Sequence, residues 1–226
     1  MFVEFARRYD CLIELSPQQN FYPDLTFIHQ SSLATFAVDI KSTYRVSTTE
    51  VNGMTLGAFT GYFRNRNSTK NTTYAYNRYA GHLVLGVIYS KNSLVADERK
   101  QFTLDDLQNI PSVIRDFQFF VQPKYRIASS RPGSGNTKNI GSVTKIDQLI
   151  NGTGPFAQLG EEIYDDYWMY YLTTDMARAL EVPRPYTDLN SYIAYKQRGI
   201  ETLQKLSVEI EPGSDNITLT NKEEAE

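Results

Sequence analysis

Asp39 and Lys41 stand two residues apart in a run that alternates apolar and polar side chains from 35 to 46. Successive side chains of a strand point to opposite faces. Phe36, Val38 and Ile40 therefore share one face, and Ala37, Asp39, Lys41 and Thr43 the other. An acid beside a base on a polar strand face is most often a solvated ion pair of small worth. A second acid raises the stakes: Asp24 follows Pro23 at the head of the preceding apolar run 25–28, with fourteen residues between it and Asp39. If the two strands are neighbours, two carboxylates and a lysine meet at one end of a sheet. Carboxylates placed together repel unless a cation lies between them, and oxygen donors of this kind suit Mg²⁺. A lysine beside them can position or help deprotonate a water, or stabilise charge that develops on phosphorus.

A second stretch with chemical potential runs from 131 to 142 and includes Gly133-Ser134-Gly135-Asn136-Thr137-Lys138-Asn139. It lacks the Gly-Lys-Ser/Thr ending of a phosphate-binding P-loop and the third glycine of a dinucleotide fingerprint. Glycine lets a backbone come close to a ligand. Asparagine can address adenine through two hydrogen bonds, and threonine can offer thymine a methyl contact. A plain flexible turn is the competing reading. His29 and His82 stand alone and read as structural. The single cysteine, Cys11, reads as a small buried hydrophobe and rules out an internal disulfide framework or a Cys-built zinc site.

The 226 residues are 41% hydrophobic and 22% charged, enough to bury the core of one large domain. The longest apolar runs, such as 83–89, are too short to cross a bilayer, and the first residues lack the order of a signal peptide. A soluble, cytoplasmic, globular domain is expected. The net charge of −3 argues against nucleic-acid binding when taken whole, yet its distribution argues the other way. Residues 200–226 carry seven acids and two lysines, which leaves 1–199 at +2. Residues 51–96 hold Arg64, Arg66, Lys70, Arg78 and Lys91 and no acid, and residues 121–150 hold five bases against Asp147 alone. Two basic stretches and an acidic tail suggest a surface that faces a polyanion.

The elements that must position these residues follow from pattern. Phe2, Phe5, Ala6 and Tyr9 have helical spacing; 17–23 is a polar turn; 25–28, 35–46, 82–89 and 117–127 read as strands. Residues 64–71 and 131–142 read as exposed loops, 76–81 and 103–111 as short helices, and 143–150, 159–180 and 189–206 as helices. One domain over 1–206 and a disordered acidic tail over 207–226 are expected. The order predicts α/β or α+β with one central sheet.

The arrangement Pro-Asp … Asp-x-Lys resembles the signature of the metal-dependent PD-(D/E)xK nucleases, and longer motifs narrow the resemblance. Gln18-Gln19-Asn20-Phe21-Tyr22-Pro23-Asp24, Ala37-Val38-Asp39-Ile40-Lys41-Ser42-Thr43-Tyr44, the 133–142 run and Asp166-Tyr167-Trp168 are similar, in order, to segments of the EcoRV family of type II restriction endonucleases. The resemblance spans roughly residues 3–200. It implies an α/β fold with a central mixed β-sheet flanked by helices, and cleavage of double-stranded DNA with Mg²⁺. It implies Asp24 and Asp39 as metal ligands and Lys41 as the catalytic lysine. Gln19 and Asn20 would approach the minor groove and backbone; Thr60, Arg64 and Lys70 would contact phosphates. Gly133, Ser134, Gly135, Asn136, Thr137 and Asn139 would form the loop that reads bases in the major groove. A homodimer, the palindrome GATATC cut bluntly at its centre, and a cognate DNA methyltransferase guarding the same site complete the expectation. The family's N-terminal helical part, with its glutamate near the active site, is expected to be shortened here. A sequence-specific DNA-binding protein without efficient cleavage is the alternative, and a nuclease of relaxed specificity a more distant one.

Overall fold

A computed structural model describes residues 2–92, 99, 101–133 and 138–205; the acidic tail lies outside them. In chain order the elements are α1 (Phe2–Arg8), β1 (Cys11–Leu15), β2 (Leu25–His29), β3 (Thr35–Tyr44), β4 (Thr55–Ala58), β5 (Gly81–Lys91) and β6 (Ile114–Pro123). There follow α2 (Lys124–Ile127), β7 (Ala128–Pro132), β8 (Asn139–Ser142), α3 (Ile146–Asn151), α4 (Glu161–Tyr170), α5 (Thr174–Ala179) and α6 (Leu189–Lys205). Five strands form a mixed sheet in the order β1-β2-β3-β5-β6, in which only β3 and β5 run parallel. A parallel pair needs a long crossover, and residues 45–80 supply it, carrying β4 and the polar loop 64–71 with them. The fold is α/β, a mixed sheet flanked by helices, and no described helix is long and apolar enough to cross a membrane.

The single sheet expected from pattern becomes two. β4, β8 and β7 form a separate three-stranded sheet, so 131–132 and 139–142 are not loop but the paired arms of an antiparallel β7–β8 hairpin. The arms approach closely enough to require glycine: a Cβ on Gly141 would lie 2.8 Å from Gly133 Cα. The helix expected over 159–180 divides at 171–173 with no proline or glycine to break it. Thr173 caps α5 by accepting the Met176 N–H, while Arg64 and Arg184 donate to the carbonyls of Tyr171 and Leu172. Side chains thus satisfy the backbone groups that a continuous helix would have paired.

The two faces of the five-stranded sheet are covered unequally. On one, Ala6 of α1 packs with Leu25, Phe27 and Val38. The other meets the main core, where Ala37, Val84, Ile88 and Phe120 join an aromatic cluster built around Phe59, Phe63, Tyr76, Tyr164, Tyr167 and Trp168. That core lies on the polar side of β3. Ala37, Asp39 and Thr43 are all buried, and the Thr43 hydroxyl donates to the Asn52 carbonyl. The reading of Asp39 and Lys41 as a wet surface pair therefore does not describe this strand. A carboxylate only 5% exposed is costly unless it is paired.

Candidate active site

β2 and β3 pair with Leu25 opposite Val38, so one further step sets Asp24 opposite Asp39. The Ile40 N–H donates to Asp24 Oδ2 at 2.6 Å, and Lys41 Nζ lies 2.7 Å from Asp39 Oδ2. Burial holds Asp24 above the ordinary carboxylate range; Asp39 adds to this, while the Ile40 N–H and Lys41 oppose it. Oδ2 of each acid is thus tied to a donor of this chain, and the two carboxyls face each other. Such a pair fits a hard divalent ion like Mg²⁺, which keeps several waters and takes one or two carboxylates. Among the described residues, no group of three His, Cys, Asp or Glu side chains converges.

Next to the acids lies a set of residues that pattern reading passed over. Lys124, on α2, is 2% exposed. Its Nζ donates to the Tyr22 hydroxyl at 3.1 Å and lies 4.2 Å from the centre of the Tyr22 ring. The Tyr22 hydroxyl is 2.7 Å from His82 Nδ1, and the His82 ring stacks on Tyr76. Tyr22 directly precedes Pro23 and Asp24, so this network reaches the acidic pair through the chain itself. β4 closes over it at Gly57, whose φ of +103° belongs to glycine and whose Cβ would meet the Tyr62 hydroxyl at 3.1 Å. Within a basic stretch Lys124 looks solvated, and His82 looks like a lone structural ring; register alone shows them to be neighbours.

Burial, with help from Lys124 and Arg66, lowers the His82 pKa from 6.5 to about 2. The unfolded ring takes up a proton as pH falls below 6.5, whereas the folded ring does not. His82 therefore contributes stability above pH 6.5 that is lost in the acid direction. In urea titrations, acidification below pH 6 is expected to cost the unsubstituted chain about 1 kcal/mol per pH unit more than His82→Asn. A constant gap between the two would mean that His82 titrates normally.

The proposed DNA-facing residues fall into distinct settings. Gln19 and Asn20 are exposed in the turn between β1 and β2. That turn is stitched to the polar loop, since Tyr22 N–H donates to the Asn71 carbonyl and Thr73 N–H to the Tyr22 carbonyl. Exposed Lys70 sits next to the stitch. At the hairpin, Gly133 N–H donates to the Asn139 carbonyl at 3.0 Å, and Phe59 N–H to that of Lys138, which brings Thr60 beside its base. Ser134, Gly135, Asn136 and Thr137 lie outside the described residues. Arg64 is differently employed: its guanidinium bonds the Tyr171 carbonyl at 2.5 Å and lies over the Phe59 ring.

Charge counting along the chain overstated the basic surface for the same reason. Arg66 pairs with Asp165 at 2.7 Å, Arg126 donates to the Gly152 carbonyl, and Lys124 is internal. Lys70, Arg78, Lys91, Arg131, Lys138 and Lys145 remain exposed. Long cationic side chains that reach into a tyrosine-rich core meet its acids, ring faces and helix-end carbonyls, which run composition cannot foresee.

The family model described as restriction endonuclease EcoRV matches residues 1–197. The chain is 32% identical over 198 residues to the type II restriction enzyme EcoRV of Escherichia coli, an alignment covering 87% of this chain and 78% of that protein.

Proposed function

The chain belongs to the restriction endonuclease EcoRV family, and from that premise we propose that it is a Mg²⁺-dependent type II enzyme. It cuts duplex DNA at the palindrome GATATC, bluntly at the centre. The observation that carries the chemistry is the meeting of Asp39 and Lys41 on β3 with Asp24, which directly precedes β2, the neighbouring strand. Asp24 and Asp39 would hold the divalent ion, which when bound helps water attack the phosphodiester and offsets charge on the phosphate. Lys41 spends one N–H on Asp39 and has others to donate to a phosphate oxygen or to orient the attacking water. The flanking strands hold all three groups in place, so little ordering remains to be done when DNA arrives.

The hairpin residues Gly133, Ser134, Gly135, Asn136, Thr137 and Asn139 read base edges in the major groove, and Gln19 and Asn20 approach from the minor-groove side. Thr60 and Lys70 contact phosphates, which set affinity and register while bases set sequence. Arg64 serves that surface indirectly by anchoring the start of the 171–173 break. A palindrome cut on both strands calls for two-fold symmetry, and hence for a homodimer. A host that carries this enzyme in its cytoplasm needs a methyltransferase of the same specificity.

A plasmid digest tests the reading. With Mg²⁺, a plasmid holding one GATATC should yield one linear product and a plasmid holding none should stay circular. Cutting of both plasmids would overturn the assigned site. Retention of the first plasmid in a gel shift without any cutting would favour a DNA-binding protein that does not cleave.

A further inference from the structure

When both are ionised, Asp24 and Asp39 carry two negative charges, and Lys41, paired to Asp39 at 2.7 Å, offsets one. Lys124 stands next in line. It is internal, reaches its place on α2 just past the end of β6, and is held by the Tyr22 hydroxyl and ring beside the segment that carries Asp24. Strand register places it near the pair: Pro123 lies opposite Leu83, and His82 opposite Ala37, the residue two before Asp39 on the same face of β3. Burial lowers the Lys124 pKa, and Asp39 raises it against that burial. Asp165, which also raises it, is already bound to Arg66.

We propose that Lys124 is a positioning residue, the internal countercation that holds the Asp24–Asp39 pair together before a divalent ion arrives and that opposes the ion once it binds. This rests on the acidic pair being the ion site. Burial lowers the Lys124 pKa to about 8, which leaves it mainly charged at neutral pH. Tyr22 holds the ammonium in place: its hydroxyl takes one N–H and its ring centre lies 4.2 Å from Nζ. The cation is thus fixed beside the segment that carries Asp24 and is not spent on either acid as an ion pair.

The consequence is counterintuitive for a residue buried beside an active site: neutralising it should tighten ion binding. Ca²⁺, a hard oxygen-seeking probe, is titrated calorimetrically into the full chain at pH 7. Lys124→Gln keeps a donor for Tyr22 but drops the charge, and should bind Ca²⁺ at least about fivefold more tightly. Lys124→Met should move the same way, while Lys124→Arg should stay within about twofold of the unsubstituted chain. The Mg²⁺ concentration giving half-maximal cleavage should fall in step for Lys124→Gln. A residue that served packing alone would weaken Ca²⁺ binding when replaced or leave it unchanged, and either result in the glutamine variant overturns the proposal. Asp39→Asn serves as the separate check on the ion site. If it leaves Ca²⁺ binding intact, the ion-site reading falls; if it abolishes binding while Lys124→Gln changes nothing, only the role of Lys124 falls.

Discussion

Asp39→Asn is expected to slow single-turnover DNA cleavage at saturating Mg²⁺ by at least about 10³-fold, a loss on the scale of removing one preorganised charge from a reacting centre. Asparagine is the informative replacement because it keeps the shape of a side chain that is 5% exposed within a central strand. Alanine would open a void and strand Lys41 as well. The asparagine variant loses half of the carboxylate pair, leaves Asp24 as the lone acid, and sets Lys41 and Lys124 against a neutral group. Ion binding and its charge compensation should fail together. The DNA contacts proposed for Gln19, Asn20 and the 133–139 segment use other side chains, so a metal-free gel shift should show affinity within a few-fold of the unsubstituted chain. Cleavage at the parental rate would remove Asp39 from the chemistry altogether.

The acids were legible in the sequence because strand alternation and a single Pro-Asp step bring them to one end of two neighbouring strands; the turn after His29 then sets the register that puts Leu25 opposite Val38 and Asp24 next to Asp39. What alternation could not supply was which side of β3 is covered. Phe36, Val38 and Ile40 look like the core face, yet Ile40 is 37% exposed whereas Asp39 is buried. The deciding groups are the tyrosines, phenylalanines and tryptophan of segments far along the chain, which pack over the polar side. β1 escaped pattern reading because it is an edge strand whose Leu12 and Leu15 are exposed, so its apolar residues do not mark one buried face. The hairpin arms β7 and β8 escaped it for the opposite reason. Glycines that permit the close approach of Gly133 and Gly141 also make the segment look like a loop. Lys124 was the deepest omission. Nothing local separates a lysine that will be 2% exposed from one that will be solvated, because its partner Tyr22 lies 102 residues away along the chain.

Lys41→Met should separate ion binding from phosphoryl chemistry. Methionine keeps most of the length of Lys41 and loses the ammonium, so the change removes charge with little change of shape beside Gly86, the residue opposite on β5. The lysine is about one quarter exposed, the more open member of its pair with Asp39. That exposure suits a donor that must reach a phosphate oxygen or an attacking water while staying tethered at 2.7 Å. Removing it should lower the single-turnover rate by about 10²–10³-fold. With one cation gone from beside Asp39, Ca²⁺ binding should tighten while cleavage fails. That combination distinguishes Lys41→Met from Asp39→Asn, which loses both. Lys41→Arg should not restore the rate, since a planar fork spreads its donors where the ammonium presents a compact charge on a flexible stem. Weaker Ca²⁺ binding in Lys41→Met would instead mean that the lysine holds Asp39 in its ion-binding position, and its role would then be to orient the carboxylate and not to meet the phosphate.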